Sequence, residues 1–230
     1  MTAQDTSALL VVDMQNDFLT EGGYYAEKAK RVHAGEQLRA TDRDALACVH
    51  LNPPQTRTIS DRYVDFVRAV ADIADAALRK GLTTVFVQAA YDPKSSYRPP
   101  FFLSDPQRPD YACHPGTWGA DFVEPIKKLA TQGCAKIVEK HTFDAFFETE
   151  LRGFLRFKHI DTVYIAGVET NVCVLFTACS ALSSGFETII LGECVTTSEM
   201  RLHKEALQII EMAQGRVIPT RGFLKLLENK

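Results

Sequence analysis

Short apolar runs alternate with amphipathic stretches along most of the chain. Residues 7–12, SALLVV, form an unbroken apolar run ending at Asp13, the pattern of a strand buried on both faces. Residues 59–80 place Tyr63, Phe66, Val70, Ile73 and Ala77 at helical spacing and stop at Gly81, a usual helix-ending residue. The same alternation predicts strands at 83–88, 135–138, 162–167, 188–191 and 216–218. It predicts helices at 120–131, 144–157, 172–184, 199–213 and 223–228. Strand and helix in such regular turn imply an α/β fold, with a mainly parallel sheet of six strands carrying helices on both faces. Ligands of such sheets bind beyond the carboxyl ends of the strands, so the residues just after each strand are the ones to inspect.

Two stretches fit no regular element. Residues 20–58 are polar, with Gly22-Gly23 and Pro53-Pro54, and residues 89–118 hold most of the ten prolines and many aromatics. Loops of that length in a compact domain commonly cover a site. No repeat or linker divides the chain, so one domain over residues 1–230 is expected. Net charge is −3, from 26 basic and 29 acidic residues, which gives no electrostatic reason to expect nucleic acid or an anionic membrane as partner. No apolar run approaches the ~20 residues of a membrane span. The start, MTAQDTSALLVVD, lacks the basic segment and cleavage site of a signal peptide. The six cysteines are scattered without a CxxC pair, which suits reduced thiols and a cytoplasmic location.

Three residues stand at strand ends. Asp13 follows LLVV, Lys140 ends KIVEK, and Cys173 lies where a strand ending near Gly167 gives way to a helix. Taken singly, Asp13 fits a helix cap, Lys140 a solvated surface lysine, and Cys173 a small buried hydrophobe, as Cys179 and Cys194 do. Taken together they describe an activated nucleophile. Backbone N–H groups at a helix start favour a thiolate and can hold an oxyanion. A lysine nearby would lower the thiol pKa further, and an aspartate could take the thiol proton and return it to a leaving amine.

Around these residues the sequence resembles the isochorismatase-like cysteine hydrolases, which include nicotinamidases, N-carbamoylsarcosine amidases, ureidoacrylate amidohydrolases and biuret hydrolases. The matching stretches are ALLVVDMQNDF (8–18), EKHTFDAFFETEL (139–151) and AGVETNVCV (166–174), in the family's order and spacing. The resemblance implies a three-layer Rossmann-like fold and an Asp13-Lys140-Cys173 catalytic triad. It also implies a non-proline cis peptide between Val168 and Glu169, which would aim the Glu169 and Cys173 N–H groups at the oxyanion. The implied reaction is acyl transfer from an amide or ureide through a thioester, with release of ammonia. No cofactor is implied.

Cys173 favours C–N hydrolysis over the thiol-free vinyl-ether cleavage of isochorismatases. Nicotinamidases carry an Asp and closely spaced histidines after the second strand. Here that stretch, QAAYDPKSSYRPP, has Asp92 and no histidine, and the next one is His114, so no metal is expected. Two features resemble the ureide-cleaving members: GGYY (22–25), and Gln214 in MAQGRV, whose amide could match a ureide edge. Each also reads as ordinary structure, a glycine turn with packed tyrosines and a helix-terminal glutamine. Phe18, Tyr24, Tyr25, Arg98, Trp118 and Gln214 are the candidate substrate contacts, and Phe101, Phe102 and Tyr111 could add walls. His141 and Glu139 flank Lys140 on an extended segment and should face away from it.

The leading expectation is a cysteine amidohydrolase acting on a biuret-, triuret-, ureidoacrylate- or N-carbamoyl-type substrate. A nicotinamidase-like or isochorismatase-like activity competes with it, as does a non-catalytic redox-sensing thiol protein. The resemblance implies a homodimer or homotetramer.

Overall fold

The structure is a computed structural model that describes residues 6–26, 59–92, 112–197 and 200–228. Six strands form one sheet in the order β3-β2-β1-β4-β5-β6, every neighbour parallel. They are β1 (Ser7–Val12), β2 (Thr83–Ala89), β3 (Lys136–Lys140), β4 (Thr162–Gly167), β5 (Glu187–Val195) and β6 (Arg216–Ile218). The helices are α1 (Asn16–Leu19), α2 (Ile59–Arg79), α3 (Glu124–Ala130), α4 (Leu151–Phe157), α5 (Leu175–Ser183), α6 (Met200–Met212) and α7 (Thr220–Glu228). This is the three-layer α/β architecture expected, with the sheet parallel throughout.

Strand β1 is central and wholly buried because both of its faces are covered. Its side chains alternate between two cores. Leu9 and Val11 pack with Val70, Ile73 and Ala77 of α2 and Phe223 of α7. Leu10 and Val12 pack with Leu151 and Leu155 of α4, Ala178 of α5 and Ile210 of α6. The apolar run needs no polar alternation, which is why the sequence pattern named it so clearly.

Two helices start four or more residues later than the periodicity predicts. Residues 144–150 form turns instead of the first half of a helix. There Asp144 Oδ1 accepts the Phe146 N–H at 2.8 Å and Thr149 Oγ1 donates to the Ala145 carbonyl at 2.5 Å. Short polar side chains compete with the helical ladder in this way. Helix α3 starts at Glu124 because Pro125 occupies its first turn, and residues 118–120 form a separate 3-10 turn.

At the end of β4 the backbone comes close to β1. Gly167 has φ +123°, and a Cβ there would lie 2.0 Å from the Val12 carbonyl oxygen. Gly167→Ala combines a left-handed backbone with a backbone clash, neither of which a side-chain shift relieves. The expected loss is about 4 kcal/mol or more, read as a fall in Tm of about 10 °C or more in thermal melts. A Tm within about 2 °C of wild type would show that the β1–β4 contact yields freely.

Candidate active site

The carboxyl ends of β3, β2, β1 and β4 bring the three strand-end residues together. Asp13 directly follows β1 with φ +53°, a region that aspartate tolerates, and its N–H donates to the Val87 carbonyl at 3.0 Å. Lys140 is the last residue of β3, two strands away, and its long side chain reaches across the end of β2. Its Nζ lies 2.8 Å from Asp13 Oδ2, and both side chains are fully buried. The same ammonium donates to Cys173 Sγ at 3.4 Å and to the Thr142 carbonyl at 2.9 Å. Both carboxylate oxygens of Asp13 are buried, with the Lys140 ammonium and the Cys173 thiol as the side chains set against them.

Cys173 sits in a widened turn, Thr170–Val174, and α5 starts only at Leu175. The peptide bond between Val168 and Glu169 is cis, as the resemblance implies. Burial works against the thiolate expected from the sequence. Burial pushes the Cys173 thiol up to about 12; Lys140 pulls it down and Asp13 pushes it up. Burial also lowers Lys140, but Asp13 and Cys173 outweigh it and hold the ammonium up to about 12. Asp13 is raised by burial against the opposing pull of Lys140 and the Cys173 thiol, which makes it a stronger base. The Cys173 sulfur thus stands beside a buried Asp13–Lys140 pair. Sequence could place the residues but could not reveal how completely water is excluded.

The rest of the DMQNDF motif is a clamp that the sequence did not disclose. Gln15 bridges three backbone groups: its Oε1 accepts from Ala89 N at 2.8 Å, and its Nε2 donates to the Ala89 and Ala120 carbonyls at 2.9 and 2.7 Å. Asn16 Nδ2 donates to the Trp118 carbonyl at 2.8 Å. The Asp17 carboxylate accepts the N–H groups of Tyr24 at 2.8 Å and Cys113 at 2.6 Å. The visible signal was a run of polar residues directly behind a fully buried strand, where each must find a partner.

The expected substrate contacts separate. Phe18 stacks on Tyr25 with centroids 5.4 Å apart. Gly23 lies so close to α1 that a Cβ would sit 2.2 Å from the Asn16 carbonyl oxygen, so the Gly22-Gly23 pair makes a tight turn, and Tyr24 and Tyr25 after it pack against the core. Burial raises the Tyr25 phenol well above its ordinary value, and the charges of Glu169 and Cys173 add to the shift. Trp118 is 54% exposed, tied down through its carbonyl. Gln214 is a correction: it is exposed, has φ +74°, and precedes β6 at the amino edge of the sheet, the edge away from Cys173. It closes α6, with its N–H donating to the Glu211 carbonyl at 3.1 Å. Arg98, Phe101, Phe102 and Tyr111 lie outside the described residues. Glu139 is exposed, and His141 Nδ1 lies 2.9 Å from the Ala90 carbonyl, so both face away from the site as expected. Among the described residues no three His, Cys, Asp or Glu side chains gather as metal ligands.

The isochorismatase-domain profile matches residues 7–221, nearly the whole chain. This chain belongs to the isochorismatase family. Among its relatives is the maleamate amidohydrolase of Pseudomonas putida, 31% identical over 101 residues, which are 44% of this chain and 47% of that protein. The chain thus spans about half the length of that relative. The ureidoacrylate amidohydrolase of Acinetobacter baylyi is 24% identical over 99% of this chain and 86% of its own. The crystal structure of a Bacillus subtilis nicotinamidase shares the family fold, with a TM-score of 0.68 at 22% identity, covering 92% of this chain and 98% of its own. In this isochorismatase-family chain no described helix is long and apolar enough to cross a membrane.

Proposed function

We propose that the chain is a cysteine-dependent amidohydrolase that releases ammonia from a small ureide or carboxamide. The observation that carries the reading is the buried contact series Asp13 Oδ2 to Lys140 Nζ at 2.8 Å and Lys140 Nζ to Cys173 Sγ at 3.4 Å. Nucleophile, base and charge partner lie within reach of one another at the edge of the sheet where ligands bind.

In this mechanism the Cys173 S–H bond breaks, its proton goes to Asp13, and the sulfur forms a bond to the carbonyl carbon. The carbonyl oxygen takes up the electron pair, and the N–H groups of Glu169 and Cys173 stabilise it. The tetrahedral species collapses, the C–N bond breaks, and Asp13 protonates the departing nitrogen. Water then attacks the thioester, Asp13 takes its proton, and the acid product leaves as the thiol is restored. Lys140 holds the aspartate ionised before each proton transfer, so that it can act as the base in both halves. The names of the relatives, maleamate and ureidoacrylate amidohydrolase, support C–N hydrolysis. The ring pair Phe18–Tyr25 suits a small planar substrate. We extend the reading to a homodimer or homotetramer, as the resemblance implies, in the cytoplasm, which the scattered cysteines suit.

An ammonia-release screen over biuret, triuret, ureidoacrylate, N-carbamoyl amino acids and nicotinamide tests it, with pyruvate release from isochorismate as the contrasting arm. Ammonia from at least one ureide or carboxamide is the expected result. Pyruvate from isochorismate, with no ammonia from any amide, would overturn the reading.

A further inference from the structure

The hydroxyl of Tyr91 lies 3.4 Å from Lys140 Nζ and 3.7 Å from Cys173 Sγ, so it touches two members of the constellation at once. Tyr91 belongs to the segment leaving β2 and is buried. Its position is fixed from several sides. Its N–H donates to the Cys113 carbonyl at 3.0 Å, its ring meets the edge of Phe143 at 6.3 Å, and Lys140 Nζ lies 5.4 Å from the ring centroid. The hydroxyl is set against an ammonium and the Cys173 sulfur. The ammonium has no lone pair, so it can only donate to the phenol oxygen. The phenol's own proton has the sulfur within reach at 3.7 Å.

We propose that Tyr91 is a further catalytic residue: its hydroxyl donates a hydrogen bond to the Cys173 sulfur as that atom becomes a thiolate, while Lys140 donates to the phenol oxygen. This rests on the reading of Cys173 as nucleophile. When the Cys173 S–H bond breaks and its proton moves to Asp13, negative charge gathers on sulfur in a site closed to water, where a charge-assisted hydrogen bond counts most. Tyr91 keeps its proton throughout. Burial, with the negative charges of Cys173 and Asp13, holds its phenol well above the ordinary range, so it stays a donor. The same bond stabilises the sulfur as leaving group when water opens the thioester. The titratable groups acting on this sulfur and phenol are Asp13 after β1, Lys140 on β3, Tyr25 after α1 and Cys113 in the segment before α3.

The test uses the full chain and follows carbamidomethylation of Cys173 by iodoacetamide at pH 8, resolved from the other cysteines by peptide mass spectrometry. It needs no substrate, so it stands whether or not the ammonia screen succeeds. Tyr91→Phe keeps the ring against Phe143 and removes only the hydroxyl. The alkylation rate is expected to fall about tenfold, and, with a substrate in hand, kcat to fall about tenfold or more while KM stays within about twofold. Site-specific replacement of Tyr91 by 3-fluorotyrosine makes the hydroxyl a stronger donor and is expected to raise the alkylation rate above wild type. These opposite signs separate a hydrogen bond to sulfur from a packing role, which would move both variants alike. An unchanged rate in Tyr91→Phe, or a fall in both variants, overturns the proposal. If Tyr91→Phe loses its near-ultraviolet circular dichroism, the fluorotyrosine protein decides alone, and no increase there overturns it.

Discussion

Cys173→Ala is expected to lose at least about a thousandfold in kcat, because a unit of nucleophile, base and charge partner fails as a whole when the nucleophile goes. The fold should survive, since the change removes one small buried atom at a cost of about 1 kcal/mol. The same variant should carry a pH signature. On folding, the Cys173 thiol is raised from its ordinary 9.0 to about 12. Between those values the unfolded chain releases this proton and the native chain keeps it, so stability falls as pH rises. Lys140 shifts from 10.5 to about 12, so the stability it contributes is present below its unfolded value and lost above it, in a higher window. Melts from pH 9 to 10.5 should therefore show the wild type losing Tm faster than Cys173→Ala. Parallel curves would mean the thiol ionises as readily in the native protein as in the unfolded chain. Residual turnover in the alanine variant above about 1% of wild type would remove Cys173 as the nucleophile.

Asp13→Asn should be worse for the fold than for any surface position. Lys140 would keep its full burial and lose the negative charge 2.8 Å away. Breaking one side of such a pair costs about 3–5 kcal/mol, because the other charge stays buried without compensation. That corresponds to a drop in Tm of about 10 °C for a chain of this size. Activity should fall with it, since asparagine cannot accept the thiol proton. The double variant Asp13→Asn, Lys140→Met removes both charges and should recover most of the lost Tm without recovering turnover. Melting and kinetics on the two proteins separate the roles. A single variant as stable as wild type would show that water reaches Lys140.

The legible part of this molecule is the part governed by period and position. SALLVV had to be a doubly covered strand, and Asp13 had to stand at its mouth. The match of three short motifs then tied Asp13 to Lys140 and Cys173 across widely separated segments. Less legible was anything set by local polar competition. Asp144 and Thr149 divert residues 144–150 from the helix their spacing suggests, and Gln214 turns out to be a helix end at the wrong edge of the sheet. Pattern also carries no measure of desolvation. Lys140 looks like a surface lysine in the sequence and is among the most deeply buried side chains in the structure. Tyr91 was legible only as one aromatic in a proline-rich loop, because its partners lie on β3 and behind β4.

The pairing of β1 between β2 and β4 gives the chemistry a built-in gauge of correct assembly. Val12 lies level with Val87 on one side and Gly167 on the other. A slip by one position would carry Asp13 about 3.3 Å along the strand and turn every β1 side chain onto the opposite core. The 2.8 Å contact with Lys140 could not outlast such a shift. Misaligned molecules would therefore be silent rather than sluggish, and turnover per mole of protein should count the correctly registered fraction.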